Sequence, residues 1–246
     1  MSKNIEVLLR AKETTELLGP KNIFQESPEP RPPATRVPPV GTKEEAELVQ
    51  RVFLLPAYEA PRLVVFHQVG QMDEAVGICA RAGQNLASQT DASVCVVEGD
   101  LHSPSLHEYF GVDNLRGLAD AVLESGPIQD FVHPLSGSNL SVLTGGSRRG
   151  EAQAPWKSER LRSRMTELRA EFSYVLVNGP PVGQPLDALL LGQIADGVIL
   201  ILESRLTRRE TARAVKENLA AANVKILGAV LNNHTFSIPE SLYKRL

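Results

Sequence analysis

Short apolar runs alternate with amphipathic stretches along most of the chain. Six runs are rich in β-branched residues and lack polar alternation, which predicts strands buried on both faces. They are RLVVF at 62–66, SVCVV at 93–97, NLSVL at 139–143, YVLV at 174–177, GVILIL at 197–202 and KILGAVL at 225–231. The stretches between them, such as SERLRSRMTELRAEF, carry apolar residues at helical spacing. The alternation predicts an α/β fold, a mostly parallel sheet with helices on both faces.

The first 42 residues follow a different pattern. Apolar residues from Ile5 to Leu18 lie at near-helical spacing among charged ones, and seven of the 17 prolines fall between positions 20 and 39. The stretch PEPRPPATRVPP has almost no large apolar residue, which predicts an extended linker. We therefore divide the chain into a short helix with a flexible linker (1–42) and one α/β domain (43–246). The helix either docks on a partner or is a frayed terminus.

Composition narrows the classes of function. The chain has 26 basic and 29 acidic side chains and a formal net charge of -3, whereas nucleic-acid-binding domains usually show a basic excess. Its two cysteines supply neither a disulfide framework nor metal-ligand spacing. No apolar run approaches the roughly 18 residues of a membrane span, and the N-terminus lacks a signal-peptide core. We expect a cytoplasmic protein that does not bind nucleic acid.

In open α/β sheets, function lies at the carboxyl ends of the strands. The run at 93–97 is followed by EGDLHSPSLHEYF and the run at 174–177 by NGPP, while the first run leads through HQVGQMDEAV into a helix. Glu98, Asp100 and Asn178 are therefore candidate site residues.

These segments resemble the cytoplasmic kinase domain of the bacterial tyrosine kinases of exopolysaccharide and capsule biosynthesis, which are deviant P-loop proteins related to the MinD/ParA ATPases. EGDLHSPSLHEYFGVDNLRGLADAVL is similar to the second Walker segment of that family, and YVLVNGPPV to its Walker B strand. The segment from Asp187 to Asn233 resembles its last helix–strand–helix–strand unit. The resemblance covers residues 43–233 and implies a P-loop NTPase-like fold of three layers.

The resemblance also implies a phosphate-binding loop, which needs glycines, a lysine and a hydroxyl. Only Gly70 matches a loop glycine here. Glu74 stands at the last glycine, Ala75 at the lysine and Val76 at the hydroxyl position. Asp73 and Glu74 place two negative charges at the helix start that would hold phosphate, where they cap the helix and repel a triphosphate.

The positions that imply magnesium binding differ as well. Asn178 replaces the Walker B aspartate, and Glu98 replaces the first aspartate of the second Walker segment. Asp100 is retained, either as a functional residue or as a loop-capping carboxylate. Asn232 either contacts adenine, as the resemblance implies, or ends the last strand. The resemblance thus implies a vestigial nucleotide site without a metal ion, in which Asp100 is the one retained catalytic candidate.

Two other groups of polar residues have ordinary structural interpretations. Three histidines lack metal-ligand spacing and are interpreted as solvated loop residues: His67, His102 and His107. Four basic residues near the helical stretch 207–222 are interpreted as a solvated face, with a basic docking face as the alternative: Arg208, Arg209, Arg213 and Lys216.

Two functions remain open. The main hypothesis is a catalytically inactive homologue that binds no cofactor and acts as a regulatory or interaction subunit of a polysaccharide synthesis or export system. Its partner would be a membrane polysaccharide co-polymerase or an active kinase paralogue, which would bring it to the inner membrane. The alternative is an ATP- and Mg²⁺-dependent tyrosine autokinase or ATPase with altered nucleotide contacts, with Tyr243 as its tail substrate. A homo-oligomer would use the family's oligomerisation helix, which Glu45, Leu48 and Arg51 match in part; a MinD/ParA-like positioning factor is a third hypothesis.

Overall fold

The computed structural model describes residues 43–55, 59–70, 75–147, 159–182 and 185–233. The predicted N-terminal helix and linker, Asp73, Glu74 and Tyr243 therefore lie outside the described residues. None of the helices in the described part has the length and apolar character needed to cross a membrane.

The described strands form one sheet in the order β3-β4-β2-β5-β1-β6-β7. Neighbours are parallel except for the pair β3–β4. The strands are β1 Leu63–Gln68, β2 Val94–Glu98, β3 His133–Pro134, β4 Leu140–Leu143, β5 Tyr174–Gly179, β6 Gly197–Glu203 and β7 Ile226–Asn232. All six predicted strands are present, and the predicted α/β class is confirmed. The sequence did not predict β3, because a two-residue strand that contains a proline has no apolar run.

One helix precedes the first strand, and the other helices lie between strands. They are α1 Lys43–Val49, which continues as a π-helix over Gln50–Leu54, α2 Ala75–Gln89, α3 Leu106–Phe110, α4 Leu118–Leu123, α5 Glu159–Glu171, α6 Pro185–Ile194 and α7 Arg209–Ala221. A 3₁₀ turn covers Ile128–Phe131. Glu45 of α1 is buried and forms an ion pair with Arg81 of α2. Assembly through α1 stays a prediction.

Two separate cores cover the two faces of the sheet, because successive strand side chains point to opposite sides. On one face, Val64 and Phe66 of β1 pack with the buried residues of α1, α2 and α3. On the other face, Leu63 and Val65 pack with those of α4, α5, α6 and α7. This arrangement is the predicted three-layer fold, and it leaves the carboxyl ends of the parallel strands at one edge.

Strand β7 departs from the predicted burial on both faces. All seven of its residues are half-buried or exposed, and Leu231 is 50% exposed. The strand pairs with β6 on one side, and no described strand lies on its other side. The prediction of double burial is wrong here because an apolar run does not distinguish an edge strand from a central one.

Candidate functional site at the carboxyl ends of the strands

Glu98 and Asn178 meet at the carboxyl ends of neighbouring strands. The register of β2 and β5 places them side by side, and the Asn178 Nδ2 donates a hydrogen bond to Glu98 Oε1 at 2.8 Å. The Gly99 N–H donates to the Asn178 carbonyl oxygen, also at 2.8 Å. A Cβ at position 99 would lie 2.8 Å from that oxygen and 2.7 Å from Val177 Cγ1, so the close approach requires glycine.

The Glu98 carboxylate is the centre of this arrangement. Its Oε1 accepts a second hydrogen bond from the Asp100 N–H at 3.1 Å. Its Oε2 accepts from the N–H groups of Ser105 and Leu106, at 2.8 Å and 3.0 Å. Because Leu106 begins α3, one buried carboxylate ties the loop at 99–105 to both strands and to the start of the helix.

The environment of Glu98 does not fit a magnesium ligand. Each carboxylate oxygen already accepts two hydrogen bonds, which uses the roughly four lone-pair positions of the group. Burial raises the pKa of Glu98 to about 7, against the opposing effect of its hydrogen bonds from Leu106, Ser105, Asn178 and Asp100. Within the described residues, no group of three His, Cys, Asp or Glu side chains is placed to hold a metal ion. Glu98 fits an internal acid that organises the loop.

Asp100 caps the loop that follows Glu98. Its Oδ1 accepts hydrogen bonds from the N–H groups of His102 at 3.0 Å and Ser103 at 3.2 Å. This is the Asx-type turn that short acidic side chains commonly form. This geometry agrees with the interpretation of Asp100 as a loop-capping carboxylate. A catalytic role for Asp100 stays a prediction.

His67 is not a solvated loop residue, and that prediction is wrong. It belongs to β1 and is fully buried, and its Nδ1 donates to the Pro180 carbonyl oxygen at 2.8 Å. The imidazole fits because position 179 is glycine, where a Cβ would lie 2.6 Å from the His67 Nδ1. Burial lowers the pKa of His67 to about 4, so the ring is neutral near pH 7. His102 is exposed as predicted, whereas His107 is half-buried.

The other predicted site residues lie around the ends of β1 and β7. Gly70 follows β1 with a φ of 95°, a conformation that favours glycine. Ala75 is the buried first residue of α2, and Val76 beside it is half-buried. Asn232 ends β7, and its Nδ2 donates to Glu203 Oε2 at 3.1 Å.

Sequence reasoning missed Glu203 and Thr207, which organise the loop after β6. Glu203 also accepts a hydrogen bond from Asn233 Nδ2 at 2.7 Å. The Thr207 Oγ1 accepts from the Glu203 N–H at 2.9 Å and donates to the Val69 carbonyl oxygen at 3.3 Å. A cavity of about 360 Å³ lies between this loop and Gly70. The available signal was the polar residue that directly ends the apolar run at 197–202, the same signal that marks Glu98.

Comparison with curated proteins finds relatives that are bacterial tyrosine-protein kinases. The chain is 30% identical over 150 residues to the tyrosine-protein kinase YwqD of Bacillus subtilis, covering 61% of this chain and 63% of that protein. It is 22% identical over 148 residues to the tyrosine-protein kinase ptk of Acinetobacter johnsonii, covering 60% of this chain and 20% of that protein. The chain thus spans less than two thirds of either relative. No protein-family model matches it.

Solved structures share the fold. The chimerical protein CapA2B2 superposes with a TM-score of 0.67 at 21% identity, over 78% of this chain and 82% of that one. The kinase domain of the Escherichia coli tyrosine kinase ETK gives 0.65 at 19% identity, over 72% and 69%. The Pyrococcus furiosus cell division ATPase MinD gives 0.61 at 21% identity, over 75% and 78%. The predicted P-loop NTPase-like fold of the MinD type is confirmed.

Proposed function

We propose that this chain is a regulatory or interaction subunit of a polysaccharide synthesis or export system and that it works without nucleotide. Its relatives are bacterial tyrosine-protein kinases. In this proposal the chain has the fold of its relatives but does not transfer a phosphoryl group. Its partner would be a membrane polysaccharide co-polymerase or an active kinase paralogue.

The contact between Glu98 and Asn178 carries the proposal. Phosphoryl transfer depends on positioned cations and metal-held phosphates. At this strand end the carboxylate is satisfied by four hydrogen bonds from the protein itself. A magnesium ion would have to displace at least one of them, and Asn178 adds no negative charge to attract it.

The start of α2 supports the same proposal. A P-loop places a lysine and a hydroxyl at this point to neutralise phosphate charge and to bind magnesium. Ala75 and Val76 supply neither group, and Ala75 is packed into the core. Several separate positions would have to be compensated from elsewhere, which is a stronger argument than one missing residue.

Phosphotyrosine analysis separates the proposal from the autokinase alternative. The purified chain is incubated with ATP and Mg²⁺, digested and analysed by mass spectrometry. The peptide that contains Tyr243 is examined first. We expect no phosphotyrosine. Phosphate on a tyrosine that disappears in Asp100→Ala would refute the proposal and establish the alternative.

A gain-of-function variant tests the assignment of positions. Glu74→Gly, Ala75→Lys and Val76→Thr are combined with Asn178→Asp, and ATP binding is measured by calorimetry. Binding by this variant and not by the wild type supports the proposed site. Binding by both proteins with equal affinity would contradict it.

A further inference from the structure

A groove on the surface lies between α7 and the β6–β7 end of the sheet. Its cavity has a volume of about 390 Å³. Apolar side chains line its floor: Leu200, Leu202, Ala212, Ile226 and Ala229. The groove lies beyond the Glu98 loop, on the opposite side of β1 in the sheet.

The rim of the groove is basic. Arg209, Arg213 and Lys216 lie at spacings of four and three residues along α7, so they share one helix face. All three are exposed, and none of the ion pairs found among the described residues includes one of them. Glu217 is the acidic residue on the rim. Glu210 and Glu217 lie three residues before and four residues after Arg213, so they offset part of this charge. The three basic residues still leave the rim with a net positive charge, which would attract an acidic ligand.

Strand β7 forms the outer border of the groove. Its sequence, ILGAVLN, contains no charge and no proline, the usual features that protect an edge strand from pairing. Leu231, on the same strand, is half exposed. An apolar edge beside an apolar groove is the kind of surface that binds peptide segments.

Charge complementarity determines the kind of occupant. A second copy of the chain would bring its own Arg209, Arg213 and Lys216 against the same residues if the grooves met face to face. A flat anionic membrane would meet the basic rim, but its surface would not fill a concave apolar floor. An acidic segment with apolar side chains satisfies both the floor and the rim.

We propose that the groove between α7 and β7 binds an acidic amphipathic segment of a partner protein. Apolar side chains of the segment fill the floor, and its carboxylates pair with Arg209, Arg213 and Lys216. The inference rests on the proposed function as an interaction subunit and names the surface that such a subunit would use.

The test uses the full chain and a phage-displayed library of random peptides. We expect selected peptides to combine Asp or Glu with large apolar residues, and to lose affinity as the salt concentration rises. A labelled synthetic copy of a selected peptide should bind Arg213→Glu about tenfold more weakly than the wild type. Arg162→Glu on α5 is the matched control, since it makes the same charge change at another exposed helical arginine, and it should change affinity less than about twofold.

Contrary results are equally specific. The inference fails if no peptide is selected, if the selected peptides lack acidic residues, or if Arg213→Glu binds them like the wild type. It also fails if Arg213→Glu instead abolishes self-association or binding to phosphatidylserine vesicles. If peptides bind only after residues 234–246 have been deleted, the chain's own tail is the occupant of the groove and the inference fails. ATP titration of the same samples is read separately, because nucleotide binding would contradict the proposed function whatever the peptide result.

Discussion

Replacing Glu98 by glutamine changes how the stability of the protein depends on pH. The glutamate is fully buried, and burial raises its pKa from 4.5 to about 7. Glutamine is close in shape and cannot ionise. Its Oε1 can accept from Asn178 and from the Asp100 N–H, as Glu98 does. Its NH2 group then faces the N–H groups of Ser105 and Leu106, which lowers the stability by an amount that does not depend on pH.

Linkage between protonation and folding determines the direction in which the stability changes with pH. Between pH 4.5 and about 7 the folded state binds the Glu98 proton more tightly than the unfolded chain, so this group stabilises the fold below that window and loses its contribution as pH rises through it. At about 1.4 kcal/mol per pKa unit the whole window is equivalent to about 3 kcal/mol, and most of this change falls between pH 8 and pH 5.

His67 works in the opposite direction over nearly the same range. Burial lowers its pKa from 6.5 to about 4, so acidification favours the unfolded chain, which takes up the proton first. The loss between pH 8 and pH 5 is about 2 kcal/mol. The effects of Glu98 and His67 on the pH dependence of stability therefore nearly cancel in the wild type. A variant that removes one of the two groups leaves the effect of the remaining group visible.

Urea unfolding followed by circular dichroism at pH 8 and pH 5 measures the effect. The free energy of unfolding of the wild type minus that of Glu98→Gln should rise by about 2 to 3 kcal/mol on acidification. The same difference for His67→Gln should fall by about 2 kcal/mol. Glu210→Gln, which removes one exposed carboxyl on α7, is the control and should show no such change. A difference for Glu98→Gln that stays constant within about 0.5 kcal/mol would refute the buried-acid reasoning.

The remaining predictions concern packing, each with a control in the same helix. Gly83→Ala in α2 should lower the free energy of unfolding by about 1–3 kcal/mol, because its Cβ would overlap the Val96 side chain of β2. Gly77→Ala should have a smaller effect, since its Cβ meets the terminal nitrogen of Arg81, which can shift while keeping its ion pair with Glu45 more readily than a side chain of a central strand can. Chemical denaturation compares the two variants. Arg164→Ala should cost about 3 kcal/mol, because the buried guanidinium donates to three backbone carbonyls in and after α4, whereas exposed Arg162→Ala should stay within about 0.5 kcal/mol. Equal losses for the two arginine variants would contradict this interpretation.

The sequence predicted the centre of the fold better than its edges. Strands β1, β2 and β5 have neighbours on both sides and helices on both faces. An uninterrupted apolar run is therefore sufficient to predict each of them. Strand β7 has the same kind of run but lies at the edge, and its residues stay half exposed. Strand β3 and the short helix α3 are too brief for any periodicity to mark them.

At the site, the sequence predicted which residues share an edge of the sheet but not what they contact. Glu98 and Asn178 each follow a buried run, and parallel pairing brings them together. That the carboxylate also binds the start of α3 depends on the path of the loop, which no local pattern encodes. His67 was misplaced because the run RLVVF ends at residue 66, whereas pairing with β5 and β6 extends the strand to Gln68.

Calorimetric titration of the purified chain with ATP in the presence of Mg²⁺ tests the central claim most directly. The account predicts no heat of binding up to about 1 mM nucleotide, which corresponds to a binding free energy weaker than about 4 kcal/mol. The gain-of-function variant serves as the comparison in the same buffer. A sub-millimolar dissociation constant for the wild type would contradict the account, because Glu98, Asn178 and the start of α2 would then bind a nucleotide despite their internal contacts.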